Sequence, residues 1–172
     1  ERLMYALIVI LVATMAAWLM ALILHLQPVD FLKISLPVGA WILLRLITSF
    51  CGVFGFSIMF NSPVRLAATA AGIGAIANTL RLEMVDMTAI PPAGAAFVGA
   101  LTAGILASLI KSKVGYPRIS LTVPSIVIMV PGMYLYRGFY NLGIMSLGPA
   151  ASWFASAILI IAALPLGLIF AR

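Results

Sequence analysis

The sequence predicts an all-α integral membrane protein, a bundle of about six transmembrane helices, with five as an alternative count. Hydrophobic residues make up 65% of the 172-residue chain and charged residues only 8%, whereas soluble domains carry about 25% charged residues. The apolar residues form stretches of about 20, the length that one helix needs to cross a bilayer, and short loops separate them. We therefore expect a single transmembrane domain over residues 1–172.

The predicted spans are apolar runs bounded by prolines, polar turns or charged loops. The first run is too long for the hydrophobic region of a signal peptide and no small-residue cleavage site ends it, which favours a span. His25 lies at its exit, where we expect an interfacial histidine rather than a proton carrier. The approximate bounds of the six spans are residues 3–26, 38–60, 64–80, 91–110, 121–142 and 150–171.

The second and third spans carry polar residues at their ends. Arg45 interrupts the span 38–60, and Asn61 begins the polar turn that follows it. The span 64–80 is short and rich in alanine and glycine, with Asn78 near its end. Small residues allow a neighbouring helix to approach closely, so we expect this helix to pack tightly.

The fourth span, 91–110, begins with two prolines, which suit the start of a helix. Small residues recur every four positions along it and form one broad smooth face, which indicates tight helix packing and no chemistry of its own. The two rows are Ala96, Ala100, Gly104 and Ser108, and Ala95, Gly99, Ala103 and Ala107.

The fifth span, 121–142, is predicted to be a broken helix. Pro124 and Pro131 each remove a backbone donor and crowd the preceding turn, and Gly132 follows Pro131 directly. In lipid every freed backbone group needs a partner, so such a break suits protein interior or a water-filled cavity. Transporters use broken helices to bind substrates. The alternative is a proline-kinked helix that only packs in the bundle.

Two arginines lie inside predicted spans at similar depth. Arg45 and Arg137 lie about 10 Å and 8 Å from the same side of the membrane, at 1.5 Å per residue. We place Glu83 and Asp86 in the loop 81–88, so no acid inside a span is expected to pair with either arginine. A guanidinium binds a carboxylate through two parallel hydrogen bonds, which predicts a clamp for a small organic anion or zwitterion. The alternative is that each side chain extends to the headgroups.

The basic residues indicate the topology. One side of the predicted bundle carries Arg2, Arg65, Lys111, Lys113, Arg118 and Arg172, and the other carries Lys33 and Arg81. Lys and Arg concentrate in cytoplasmic loops, so both termini are predicted to be cytoplasmic.

Several classes of function are excluded by composition. The net charge of +6 is spread over loops, which is not a nucleic-acid-binding pattern. Cys51 is the one cysteine, so a disulfide within the chain is excluded, and no cluster of His, Cys and carboxylates predicts a metal. No nucleophile with a base and no phosphate-binding glycine loop is present. We expect no enzyme, no catalytic residue and no cofactor.

Two motifs resemble the C-terminal half of the threonine/serine exporter family. Residues 54–65 read FGFSIMFNSPVR, and residues 124–138 read PSIVIMVPGMYLYRG. The resemblance covers about residues 45–170 and leaves the first span less clearly included, hence the alternative of five helices. It implies export of small amino acids or short dicarboxylates driven by the proton-motive force. It also implies a larger partner subunit similar to the family's N-terminal half, in a bacterial-type inner membrane.

The leading hypothesis is a secondary-transporter subunit for small carboxylate-bearing solutes, working with that larger subunit, as a homo-oligomer, or both. The alternatives are an anion-selective channel and a non-catalytic structural subunit of a membrane complex. No residue-level substrate assignment comes with the resemblance, so physical arguments select the candidate substrate-binding residues. They are Arg45, Arg137, Pro131, Gly132, Tyr134, Asn61 and Asn78.

Overall fold

A computed structural model describes residues 2–26 and 36–172 and shows seven α-helices there, with no strand in those ranges. The prediction of an all-α fold is confirmed. Lys33 lies outside the described residues. The helices are α1 (Arg2–Ile23), α2 (Val38–Met59), α3 (Val64–Met87), α4 (Pro92–Val114), α5 (Arg118–Val127), α6 (Gly132–Gly143) and α7 (Leu147–Phe170).

Three described helices, α2, α4 and α7, are long and apolar enough to cross a membrane. The count rises to four if α5 and α6 form one broken span, as the sequence predicts for residues 121–142. The count of about six spans is therefore not confirmed and stays a prediction.

Prolines set the starts of five of the seven helices. Pro37, Pro63, Pro91, Pro117 and Pro131 each lie immediately before the first residue of α2 to α6. Proline lacks an N–H and fixes φ, so it is tolerated at a helix start and disrupts a helix interior.

The predicted loop 81–88 is wrong for most of its length, because α3 continues to Met87. The predicted span ends before Arg81 because hydropathy falls at the first charged residue. Helix propensity continues beyond that point, since Leu82, Glu83 and Met84 favour helix. The extension places Glu83 and Asp86 on a helix that packs against α2.

The chain divides into two compact units. The smaller unit comprises Glu1–Ile34 and Pro131–Ile158 and thus contains α1, α6 and the first half of α7. The larger unit comprises Ser35–Val130 and Leu159–Arg172 and contains α2 to α5 and the end of α7.

Alanine and glycine form much of the core of the larger unit. Its α3 packs against α2, α4 and α5. On α4 the residues of the two predicted small-residue rows are largely buried, which agrees with tight packing of this helix. Ser125 of α5 approaches α3 so closely that its hydroxyl donates to the Ala70 carbonyl oxygen at 2.9 Å. The fully buried alanines of α3 and α4 are Ala67, Ala70, Ala71, Ala77, Ala95, Ala96, Ala100, Ala103 and Ala107.

The close contact of α3 with α5 predicts opposite effects for two glycines of α3. A Cβ at Gly74 would lie 2.7 Å from Val53 Cγ2 and 2.9 Å from the Ser125 carbonyl oxygen, whereas a Cβ at Gly72 meets nothing within 4 Å. We expect Gly74→Ala to destabilise by about 1–3 kcal/mol, because backbone must move. Gly72→Ala is expected to be neutral or to stabilise by up to about 1 kcal/mol. Thermal unfolding in detergent checks both, and equal midpoints would contradict the described helix contact.

Candidate functional site

The candidate substrate-binding residues divide between the two units. The larger unit contains Arg45, Asn61 and Asn78, and the smaller unit contains Pro131, Gly132, Tyr134 and Arg137. Each group is built around one arginine.

In the smaller unit, α6 and α7 line an open cavity of about 280 Å³. Its lining residues are Met133, Tyr134 and Arg137 of α6 and Trp153 of α7. Met133 and Tyr134 lie four and three residues before Arg137, so both side chains are neighbours of Arg137 on the helix surface. The volume lies just below the range of about 300–1,000 Å³ that is common for small-molecule sites, which suits a small solute.

Aromatic contacts fix the two helices around this cavity. A Cβ at Gly138 would lie 2.9 Å from the ring of Phe154, so glycine is required for the approach of α6 to α7. Phe139 packs edge-on against the same ring, with 5.0 Å between ring centroids. Tyr134 packs edge-on against Trp153 at 5.5 Å.

The Arg137 guanidinium lies over the indole of Trp153, with its central carbon 4.9 Å from the ring centroid. An aromatic face attracts a guanidinium, and the fork of N–H donors on a guanidinium matches a carboxylate. Sequence reasoning missed Trp153. The sequence shows only that Trp153 is an aromatic residue in the first turns of the last span. It does not show which arginine Trp153 contacts.

The break before α6 brings a helix end to the same cavity. Pro131 precedes α6, and Met133 and Tyr134 lie in its first turn. The first N–H groups of a helix lack partners within it and carry partial positive charge. The cavity therefore combines a guanidinium, a helix N-terminus and two aromatic rings, a set that suits a small carboxylate with an attached cation or apolar group.

In the larger unit, Arg45 is paired with two acids, so the expectation that it has no acidic partner is wrong. Its Nη1 donates to Glu83 Oε1 at 2.8 Å, and its Nη2 donates to Asp86 Oδ2. Both carboxylates lie on one face of α3 because they are three residues apart. The guanidinium also lies over Trp41, 5.1 Å from the ring centroid.

Arg45, Glu83, Asp86 and Trp41 form the Arg45 cluster, and its two acids differ in exposure. The side chains of Arg45 and Glu83 are 12% and 16% exposed, whereas that of Asp86 is 53% exposed. These two carboxylates balance the charge of Arg45, which weakens its attraction for a substrate carboxylate. The role of Arg45 in substrate binding stays a prediction.

Asn78 and Asn61 both have structural contacts. Buried Asn78 donates from Nδ2 to the hydroxyl oxygen of Ser49 at 2.9 Å and accepts at Oδ1 from Arg81 Nε at 3.1 Å. The bond to Ser49 joins α3 to α2, and the bond from Arg81 lies within α3. Asn61 lies in the turn after α2 with φ of 58°, a left-handed conformation that asparagine tolerates better than most residues. Substrate contacts for either residue stay untested.

Comparison with known families identifies one match. The family described as "Threonine/Serine exporter, ThrE" matches residues 45–172, which is most of the chain. Comparison with curated proteins and with solved structures finds no match.

The exposures in the Arg45 cluster predict unequal costs for removing its two acids. We expect Glu83→Gln to destabilise the protein by about 1.5–3 kcal/mol, because it removes a charged hydrogen bond from a largely covered arginine. Asp86→Asn should cost about 1 kcal/mol or less, since water screens an exposed pair. Chemical unfolding in detergent micelles provides the comparison. A larger cost for Asp86→Asn would contradict this description.

Proposed function

This chain belongs to the threonine/serine exporter family, and we propose that it is a secondary-transporter subunit that exports threonine, serine or similar small amino acids. Short dicarboxylates are the second substrate class that we propose. The observation that carries the proposal is the cavity of the smaller unit, where Arg137 and Trp153 line one space together with the first turn of α6, the helix that follows the break.

We propose that the substrate carboxylate binds the in-plane donors of Arg137. The N–H groups in the first turn of α6 add a second source of positive potential for the same carboxylate. The substrate ammonium group would lie toward the faces of Trp153 and Tyr134, where an aromatic ring attracts a cation. A zwitterion satisfies both requirements, whereas a dicarboxylate satisfies only the first. This difference favours amino acids over dicarboxylates.

We propose that the proton-motive force drives export and that the Arg45 cluster takes part in it. Glu83 and Asp86 are the acidic residues in the part of the chain that the structure describes. Exposed Asp86 offers a protonation site in contact with water, and Glu83 lies beside it on α3. A proton added to a carboxylate oxygen forms an O–H bond and removes the negative charge that holds Arg45, which loosens α2 from α3.

The proposed setting is a bacterial-type inner membrane with both termini in the cytoplasm. The distribution of Lys and Arg supports this orientation. We further propose that the chain works with a larger subunit similar to the family's N-terminal half, as a homo-oligomer, or both.

The Arg137 cavity is tested by counterflow of labelled threonine into liposomes that contain the chain alone or with the larger subunit. We expect Arg137→Ala to raise KM at least tenfold, because a charged hydrogen bond contributes about 1.5–3 kcal/mol. Arg137→Lys should recover only part of the loss, since lysine lacks the planar fork.

Arg65→Ala is the matched control, because it removes an exposed arginine at the start of α3. Wild-type KM in Arg137→Ala would refute Arg137 as a ligand. Succinate transported better than threonine would reverse the proposed preference. Flux that grows linearly with concentration would favour the anion channel, and no flux in either preparation would favour the structural subunit.

Proton coupling is tested by imposing a pH gradient on the same liposomes. We expect Glu83→Gln to keep threonine counterflow without a gradient and to lose most of the acceleration that the gradient causes, because glutamine takes up no proton. The same measurement on Asp86→Asn shows whether Glu83 or Asp86 is the carboxylate that takes up the proton. Full gradient-driven acceleration in both variants would refute a coupling role for the Arg45 cluster.

A further inference from the structure

The larger unit contains a second cavity, of about 290 Å³, between the start of α5 and the end of α7. It is separate from the cavity at Arg137 and shares no residue with it. Two arginines line this Arg118–Arg172 cavity together with one threonine and three aliphatic residues. The lining residues are Arg118, Ile119, Thr122, Leu168, Ile169 and Arg172.

Contacts within the protein hold Arg118 in place before any ligand binds. Its Nη2 donates to the Leu168 carbonyl oxygen at 3.0 Å, in the last turn of α7. A Cβ at Gly104 would lie 3.0 Å from the same nitrogen, so a glycine of α4 makes room for the guanidinium. The hydrogen bond to Leu168 uses one of five N–H donors, and a donor fixed in advance loses little entropy when it binds.

The positive charge of this cavity has no acidic counterpart in its lining. Both acids in the described ranges, Glu83 and Asp86, are paired with Arg45. Arg118 is also the first residue of α5, whose N-terminal end adds partial positive charge. Lys111 and Lys113 lie in the last turn of α4, which a short loop joins to α5. Two guanidiniums with no acidic side chain beside them among the described residues attract an anion.

The apolar residues indicate what kind of anion fits. Ile119 and Ile169 line the cavity and are 69% and 58% exposed. Exposed aliphatic side chains directly beside arginines suit a ligand that carries an anionic group and a hydrocarbon chain on the same molecule. A free inorganic anion would leave these side chains without a partner.

We propose that the Arg118–Arg172 cavity binds an anionic phospholipid, with the phosphate between the two guanidiniums and an acyl chain along Ile119 and Ile169. Arginine forms paired hydrogen bonds with phosphate oxygens. Basic residues near a membrane surface attract anionic lipids. The proposal does not depend on the transported substrate.

The test measures lipid binding by the purified full chain in detergent, with native mass spectrometry for affinity and thermal unfolding for stability. The probes are phosphatidylglycerol, phosphatidylcholine of the same chain length, and inorganic phosphate. We expect phosphatidylglycerol to bind and raise Tm, and the other two probes to leave Tm unchanged.

Arg172→Gln is the main variant, because the side chain of Arg172 lines the cavity without holding another helix in the described contacts. We expect its affinity for phosphatidylglycerol to fall about tenfold. Arg118→Gln should lose at least as much. Arg65→Gln removes the same charge from an exposed site elsewhere and should bind like the wild type.

Three results would overturn the proposal. Wild-type affinity in Arg172→Gln and in folded Arg118→Gln would show that the lipid binds elsewhere. Equal stabilisation by phosphatidylcholine would show that charge is not recognised. Equal stabilisation by inorganic phosphate would indicate a site for a soluble phosphate compound instead of a lipid. If Arg118→Gln does not fold, Arg172→Gln alone decides the first point.

Discussion

Close contact between helix backbones is the constraint on which the larger unit depends. Alanines and glycines on α3 and α4 leave so little side-chain volume that α5 donates a hydrogen bond from Ser125 into the backbone of α3. In a membrane the hydrophobic effect does not drive helices together, so close van der Waals packing and hydrogen bonds between helices have to do so. The Asn78–Ser49 bond and the Arg45 cluster extend the same logic to α2 and α3.

Arg45, Arg118 and Arg137 have different contacts that offset the cost of a charge near lipid, which is about 2.5–3.5 kcal/mol or more at the bilayer centre. Arg45 has two carboxylates, Arg118 has a carbonyl oxygen at a helix end, and Arg137 lies on an indole. These contacts differ in how much of the positive charge they neutralise. Two carboxylates neutralise the charge of Arg45, whereas the carbonyl oxygen that accepts from Arg118 is neutral and leaves a positive group that attracts an anion.

Much of the helical fold follows from local signals in the sequence. Prolines mark the starts of α2 to α6, and the break at Pro131 follows from the missing donor and the crowded turn. The end of α3 does not follow from such signals, because hydropathy cannot show that Glu83 meets Arg45, which is 38 positions earlier in the chain. The partner of Arg137 was equally hidden, since Trp153 lies on another helix and its register depends on the contact of Gly138 with Phe154. The sequence therefore points to Arg137 and Tyr134, which the structure brings to one cavity, but it does not reveal the acidic partners of Arg45. Substrate binding by these residues stays a prediction.

The most direct test of the substrate site is the fluorescence of Trp153 in a variant whose other two tryptophans, Trp18 and Trp41, are replaced by phenylalanine. In lipid nanodiscs, threonine should change the emission of Trp153 saturably, because its carboxylate binds the guanidinium that lies on the indole. Threoninol, which lacks the carboxylate, should have no effect at the same concentrations. Equal responses to both compounds, or no response to threonine, would contradict the assignment of this cavity to the substrate.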